Sequence, residues 1–425
     1  MSVWSVDQVL ALAPDASAQK AARSLTTPRP WHDTGHDPET DGLWGRCQGS
    51  GADAYQVCVE LSEPAYRCSC PSRKFPCKHA LALLLRWAAG EVPTATPPDW
   101  MREWQAGRQA RQERTAGRAA GGTPSAKTAQ RRGERVAAGL DELDRWLGDQ
   151  VRQGLAGAVG AGYAHWEAMA ARLVDAQAPA VAGAVGRLAT VAGTPDRLLS
   201  ELALLRLLVA GYRRIDELPA DLAATVRARV GFPVSTEEVL AEPAVRDEWH
   251  VVGLRDEVEE RLTTRRVWLR GGHSGRPALV LSFAAPGQAL PVDLVLGTVV
   301  DADLCFYPGA QPLRALVARR HAGARVAPPA GEPVRVALDG YATALAGDPW
   351  LDRWPVLVDG TATLHNGRWY LVDPAGDGLP LAPGVAEPWT LVAVAGGDPT
   401  TVAAEWSAAG LRPLTAWIKD QVVRL

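Results

Sequence analysis

Long hydrophobic runs are missing from this sequence. No stretch of 18 consecutive apolar residues occurs in its 425 residues, so we expect no helix that crosses a membrane. The first twenty residues, MSVWSVDQVLALAPDASAQK, lack the basic cluster that opens a secretory signal, and Asp7 interrupts their apolar stretch. We therefore expect a cytoplasmic protein, in which disulfides are rare and clustered cysteines serve as metal ligands or catalysts.

Common catalytic motifs are missing as well. The sequence contains no P-loop, no GxGxxG fingerprint, no GxSxG elbow and no HExxH helix. The net charge of −3 argues against a general attraction of the whole chain to nucleic acid or anionic lipid, although it permits a local basic patch. The 47% of apolar and 22% of charged residues are typical of a globular protein of several domains. We expect a binding protein without enzymatic activity.

Cysteine is scarce but concentrated. Three of the six cysteines and one of the eight histidines fall within twelve positions of the stretch YRCSCPSRKFPCKHALALLLRW. Their spacing is C-x-C-x6-C-x-H, formed by Cys68, Cys70, Cys77 and His79. Residues two apart share one face of a strand, so Cys68 and Cys70 can bind one atom. Residues two apart in a helix diverge by about 200°, which predicts that Cys77 and His79 lie in the turn before the following helix.

Three sulfurs and one nitrogen from these two elements fit a closed, tetrahedral Zn²⁺ site. Three other uses of the four residues remain open. A disulfide is disfavoured by a reducing compartment, and a catalytic cysteine is disfavoured because four ligands this close leave no open position. A [2Fe–2S] centre with three cysteines and one histidine has a longer middle gap and three residues between its last two ligands. Because residues 43–90 are too few for a large core, we expect metal binding to supply much of their folding free energy.

Basic residues surround the cysteine cluster. Positive neighbours favour thiolates over thiols, and they can also contact the phosphates of a nucleic acid. From Arg102 to Arg135 the chain carries a charge of +6, so the remainder carries −9. That acidic remainder suits a protein partner better than a phosphate backbone. The candidate contact residues for a nucleic acid or a partner are Arg67, Arg73, Lys74, Lys78 and Arg86.

Composition divides the chain into five segments and predicts an α+β multidomain protein. The segments are a helical and then loop-like lead-in (1–42), a small ββα-type zinc-finger module (43–90), a basic helix with a flexible linker (91–134), a helical region (135–245) and a β-rich C-terminal region (246–425). Strands are predicted at 43–48, 54–61 and 66–70. Asn366-Gly367 predicts a hairpin, whereas the final stretches TTVAAEWSAAG and LTAWIKDQVV predict helical or mixed structure.

Several other residues resemble parts of a site. Cys47 and Cys58 lie on the predicted strands before the cluster, and we interpret them as small core thiols. Cys305 lies among apolar residues and is interpreted in the same way. The stretch WHDTGHD contains His32 and His36, but its Gly and Thr argue against a shared helical face, so a polar loop is predicted.

The pattern C-x-C-x6-C-x-H, preceded by two strands and followed by an apolar helix, resembles the SWIM zinc finger. CPSRKFPCKHALALLL is similar to the bacterial form, in which a Pro-Cys-Lys-His run opens the helix. The resemblance covers residues 43–90 and implies a ββα zinc module that binds DNA or proteins. In bacteria, such proteins are often encoded near MoxR-type AAA ATPases and von Willebrand A-domain proteins, which the resemblance therefore implies as partners. The expected function is that of a zinc-binding adaptor whose finger mediates protein–protein interaction, and DNA binding through the basic finger and linker is the alternative.

Overall fold

The computed structural model describes most of the chain in twelve ranges and three further residues. These are residues 6–13, 16–49, 53–61, 65–72, 76–108, 126–155, 162–259, 262–284, 293–321 and 325–385, followed by 388–418 and 421–425, with residues 157, 290 and 291 between them. Among the helices in these ranges, none combines the length and the hydropathy that a membrane span needs. The protein has mixed α+β architecture, and it is described below as three units.

The first unit, called the N-terminal unit, is an antiparallel four-stranded sheet with helices on both faces. Its helices are α1 (Val6–Ala11), α2 (Ala16–Arg23), α3 (Lys78–Ala88) and α4 (99–108), and its strands are β1 (Trp31–Asp37), β2 (Gly42–Cys47), β3 (Tyr55–Glu60) and β4 (Ala65–Cys68). The strands follow the order β1-β2-β3-β4. Helix α3 packs on one face of the sheet together with α1 and α2. Met101 of α4 is buried against Trp44 on the other face.

Strand β1 corrects the prediction of a polar loop at WHDTGHD. Trp31 pairs with Cys47 and Asp37 with Gly42, with an irregularity between His32 and Gly35. The ring of Trp44 lies against Gly35, where an added Cβ would come within 2.3 Å of Trp44 Cζ2. Gly35, which argues against a helix in the sequence, therefore lies in a strand and packs against Trp44. Only a residue without Cβ lets the Trp44 indole lie so close to the backbone.

The N-terminal unit has a larger core than residues 43–90 could form alone. Val9 and Leu10 of α1, Ala22 of α2 and Trp31 of β1 are buried in one cluster with the interior of α3. Residues 43–90 therefore share their core with the lead-in, which was predicted as a separate segment.

The second unit is a helical bundle. Its helices are α5 (Ala126–Gln153), α6 (Tyr163–Asp175), α7 (Pro179–Val191), α8 (Pro195–Arg213) and α9 (Ala220–Val230). A short helix, α10 (Thr236–Ala241), follows the bundle and packs against the β-rich unit described next. Helix α5 begins inside the segment predicted as a flexible linker. Arg132 explains part of this extension: its guanidinium lies 4.8 Å from the ring centroid of Phe232 and donates a hydrogen bond to the carbonyl of Gly231 at 3.0 Å. Residues 109–125 of the linker lie outside the described residues.

The third unit, called the β region, contains two six-stranded antiparallel sheets. The first comprises β5 (Val245–Glu259), β6 (Leu262–Gly271), β7 (Pro277–Ala284), β8 (Thr298–Phe306), β9 (Ala315–Arg320) and β10 (Arg325–Val326). The second comprises β11 (Trp354–His365), β12 (Arg368–Val372), β13 (Gly378–Pro380), β14 (Thr400–Ser407), β15 (Gly410–Ile418) and β16 (Gln421–Arg424). Helices α11 (Val334–Gly347) and α12 (Trp389–Ala395) complete the unit.

Two predictions for the β region have opposite outcomes. The hairpin at Asn366-Gly367 is confirmed: both residues have positive φ, 49° and 74°, as the turn between β11 and β12 requires. The helical or mixed prediction for the final stretches is wrong, because β14, β15 and β16 occupy them. Alanine-rich sequence favours a helix locally, but here Ala403, Ala404 and Ala416 are buried inside the second sheet, and tertiary packing overrides propensity.

The β region contacts both other units. Val295 is buried in the core of the N-terminal unit, and α1 contacts β16. Towards the bundle, Arg229 pairs with Asp348 at 2.6 Å, and the indole of Trp350 donates to the carbonyl of Leu204 at 2.9 Å. The β region is therefore the part of the fold that both other units contact.

Candidate metal centre

The four side chains that were predicted to be metal ligands lie together. The ligand atoms of Cys68, Cys70, Cys77 and His79 are all within 4.8 Å of one another. Cys68 Sγ lies 3.8 Å from His79 Nδ1. Two ligands come from the end of β4 and two from the start of α3, so the centre joins the sheet to the buried helix.

The strand side of the centre is held by the backbone of β3. Cys68 is the last residue of β4, and Cys70 lies beyond the strand, which ends two residues earlier than predicted. Ser69 continues the extended direction, because its N–H donates to the carbonyl of Gln56 and its Oγ accepts from the Gln56 N–H, both at 3.0 Å. The second cysteine is therefore fixed by main-chain bonding although it is outside the strand.

The helix side differs from the prediction in one respect. Cys77 is the N-cap of α3 with extended backbone, φ −74° and ψ 164°, but His79 is the second residue inside the helix. The rule that residues two apart diverge applies to two helical positions. Because Cys77 has non-helical dihedrals, its Sγ and the His79 ring reach the same point, and the prediction that both precede the helix is wrong for His79.

The electrostatics of the four side chains favour a cation between them. Hydrogen bonding from the Cys68 thiol, with further help from His79 and the first N–H groups of α3, lowers the pKa of Cys77 to about 4. The same hydrogen bond, together with burial, raises the pKa of Cys68, and burial raises the pKa of Cys70. Three neighbouring thiolates repel one another in a partly buried site, so the full set of thiolates needs a positive ion between them.

Zinc fits this donor set. Zn–S bonds of about 2.3 Å and Zn–N bonds of about 2.0–2.1 Å in a tetrahedron place two sulfurs about 3.8 Å apart and a sulfur and a nitrogen about 3.6 Å apart. The 3.8 Å between Cys68 Sγ and His79 Nδ1 is close to the second distance. Three thiolates and one imidazole fill a four-coordinate shell and leave no position for a substrate. The centre is therefore a Cys3His zinc site of the closed, structural kind.

Tyr55 is a neighbour of the centre that the sequence analysis did not single out. Its ring centroid lies 5.0 Å from that of His79. The alternation of β3 contains the signal, since Tyr55 shares a face with Val57, and Val57 is the register partner of Cys68. Tyr55 comes two residues before Val57, the register partner of the ligand Cys68, so its ring can pack on the ligand His79.

The other three cysteines are not among the four clustered ligands. Cys47 is buried, and burial raises its pKa to about 11. Burial raises the pKa of Cys58, on the opposite face of the sheet, to about 12. Cys305 donates to the carbonyl of Glu242 at 3.5 Å in the β region. All three have the environment of inert core thiols, as interpreted from the sequence.

The three candidate contact residues that the structure describes, Arg67, Lys78 and Arg86, do not form one patch. Lys78 and Arg67 are exposed, but Arg67 pairs in register with Cys58 and therefore lies on the sheet face opposite α3. Arg86 is buried and donates to Glu91 Oε2 at 3.2 Å. Arg73 and Lys74 lie outside the described residues. Of the five cations, the structure therefore places two at the surface, on different sides of the N-terminal unit.

The comparisons with known families match two parts of the chain. Residues 57–88 match the SWIM zinc finger, and residues 131–230 match the SWIM-associated four-helix bundle domain. The first match contains all four ligands, and the second runs from within α5 to the end of α9. Comparison with curated proteins and with solved structures gives no match. The chain therefore carries a SWIM zinc finger followed by the helical domain that is associated with it.

Proposed function

We propose that this protein is a zinc-dependent adaptor whose SWIM finger mediates protein–protein interaction. The observation that carries the proposal is the burial of α3: every residue from His79 to Trp87 is buried. Zinc fingers of the C2H2 class read DNA with an exposed helix that enters the major groove. In this chain α1, α2 and the sheet cover α3, so the helix that follows the ligands serves as a core element.

The surface that remains around the centre suits a protein partner. Ser69, Pro71 and Ser72, which flank the ligands Cys68 and Cys70, are exposed. Exposed loop residues on a rigid scaffold are common in binding sites. The zinc ion would fix the position of these three residues by binding Cys68 and Cys70. A closed ligand shell supports binding rather than catalysis, and free cysteines suit the reducing cytoplasm.

The resemblance to bacterial SWIM proteins supplies two partner classes to test, MoxR-type AAA ATPases and von Willebrand A-domain proteins. The experiment immobilises the zinc-loaded full chain and presents purified members of both classes, with Cys77→Ser as the metal-free variant. The matched control is Cys58→Ala, a buried thiol in the same sheet that is not a ligand. Saturable binding by wild type and Cys58→Ala, lost in Cys77→Ser, is the expected result. Equal binding by all three proteins would contradict a role of the zinc finger in the interaction.

DNA binding is the second candidate, favoured by the exposed cations Arg67 and Lys78. Phosphate contacts release counterions, so binding through them weakens steeply between about 50 and 200 mM salt. Fluorescence anisotropy with single- and double-stranded DNA at both salt concentrations tests this. Tight binding at low salt that is lost on changing Arg67 and Lys78 to Ala would replace the adaptor proposal.

A further inference from the structure

A cluster of charged side chains lies between the two sheets of the β region, far in sequence from the zinc centre. Glu405 of β14 has a side chain that is 2% exposed. It accepts hydrogen bonds from the Trp268 indole at 2.8 Å and from Arg255 at 3.1 Å. Arg353 donates to Glu257 at 2.6 Å beside it. The side chains of Arg255, Arg266 and Arg353 are 20–31% exposed, so water and small solutes reach the cluster.

Two arginines of this cluster, Arg266 and Arg412, make no side-chain hydrogen bond within the described part of the chain. Arg266 lies 3.7 Å from Glu257 and 3.8 Å from Glu405, too far for hydrogen bonds, and its Nε is buried without a partner. Arg412 is the register partner of Glu405 across the β14–β15 ladder, so the two side chains share a face. Its guanidinium has no hydrogen bond or ion pair among the described residues. A buried donor without an acceptor is costly, and these two guanidinium groups flank the same carboxylate.

The charges in the cluster do not balance. Four arginines, at positions 255, 266, 353 and 412, interact with three carboxylates, those of Glu257, Asp352 and Glu405. Burial and the like charge of neighbouring arginines lower the pKa of Arg266 and of Arg412. One positive charge is therefore in excess, at the place where Arg266 Nε is buried without a hydrogen-bond partner.

We propose that Arg266 and Arg412 form a binding site for a small oxyanion of the phosphate class where the two sheets face each other. A guanidinium presents a planar fork of N–H donors that matches two oxygens of such an anion. One phosphate oxygen pair would accept from each arginine, and the anion would neutralise the excess charge. Arg255 donates to Glu405 and Arg353 donates to Glu257. These contacts fix the two carboxylates beside the proposed site.

The test titrates inorganic phosphate into the full chain by calorimetry, with chloride adjusted to keep ionic strength constant. Wild type is expected to bind one phosphate saturably. Arg412→Gln is expected to lose at least about tenfold in affinity, and Arg412→Lys, which keeps the charge but loses the fork, to fall in between. Arg412→Gln is also expected to raise the melting temperature in chloride, because it removes the excess positive charge.

Matched controls locate the binding. Arg319→Gln changes an exposed strand arginine of β9 and is expected to leave phosphate affinity unchanged. Arg266→Gln removes the second fork and tests the site independently if it melts cooperatively. No saturable phosphate binding by wild type, or affinity in Arg412→Gln within twofold of wild type, would overturn the proposal. Equal affinity for acetate would overturn the assignment to the phosphate class.

Discussion

At the scale of single residues, local spacing determines the zinc ligands and distant packing determines the other polar sites. Cys68 to His79 span twelve positions, so the ligand set can be inferred from the sequence without knowing the fold. Asp247 in β5 shows the opposite case. Its side chain is 2% exposed and accepts hydrogen bonds from His273 and Ser274, in the β6–β7 turn. Nothing in the sequence around Asp247 indicates that turn as its partner.

Asp247→Asn is predicted to destabilise the β region in a pH-dependent way. Burial alone would raise the pKa of Asp247, but hydrogen bonds from Ser274 and His273 outweigh it and hold the pKa well below its usual range. A carboxylate with a depressed native pKa stabilises the fold above its unfolded pKa of about 3.9, and this stability is lost as the pH falls towards the native pKa. Urea unfolding should show a loss of about 1–3 kcal/mol in the free energy of unfolding at neutral pH.

The difference between wild type and Asp247→Asn should shrink once the pH falls below about 4. Asp339→Asn, at an exposed position of α11, is the matched control and should leave the free energy of unfolding unchanged at both pH values. A destabilisation by Asp247→Asn that is the same in acid and at neutral pH would mean that shape, not charge, is what the buried side chain contributes.

At the scale of elements, the sequence predicts those whose signals are local. The Asn366-Gly367 hairpin was predictable because two adjacent residues with positive φ define the turn. Strand β1 was not, since its polar sequence becomes a strand only by pairing with β2 and by receiving the Trp44 ring at Gly35. The cluster around Glu405 was not predictable either, because Arg255 reaches it across 150 positions.

Gly35→Ala is predicted to destabilise the N-terminal unit. The new Cβ would lie 2.3 Å from Trp44 Cζ2 and 3.0 Å from Ala95 Cβ, and Trp44, 3% exposed, has little room to move. Overpacking of this kind costs about 1–3 kcal/mol. Gly107→Ala in α4 is the control, because nothing lies within 4 Å of the added carbon and alanine favours the helix. Hydrogen exchange of β1 and β2 should accelerate only in Gly35→Ala. Unchanged hydrogen exchange in β1 and β2 of Gly35→Ala would show that the packing of the Trp44 ring does not require glycine at position 35.

At the scale of the whole molecule, the zinc centre is one of two features that stabilise the N-terminal unit. The other is a core in which Leu43, Val57 and Leu84 are buried with α1 and α2. A core of this size has its own stability, so the metal need not supply most of the folding free energy of the unit. The bundle has a separate core that includes Leu143, Trp166 and Leu202. Loss of zinc should therefore act locally.

Removal of zinc by a chelator is predicted to loosen β4 and the start of α3 while the bundle stays folded. Zinc present at about 100 times its Kd contributes about 2.7 kcal/mol, and its loss removes the link between the strand pair and the helix pair of ligands. Hydrogen exchange measured by mass spectrometry should accelerate about 100-fold in residues 65–82 and remain unchanged in residues 135–230. Cys77→Ser in zinc should give the same pattern, and Cys58→Ala should respond to the chelator as wild type does. Acceleration throughout the bundle would instead mean that the β region transmits the loss of zinc from the N-terminal unit to the bundle through its contacts with both.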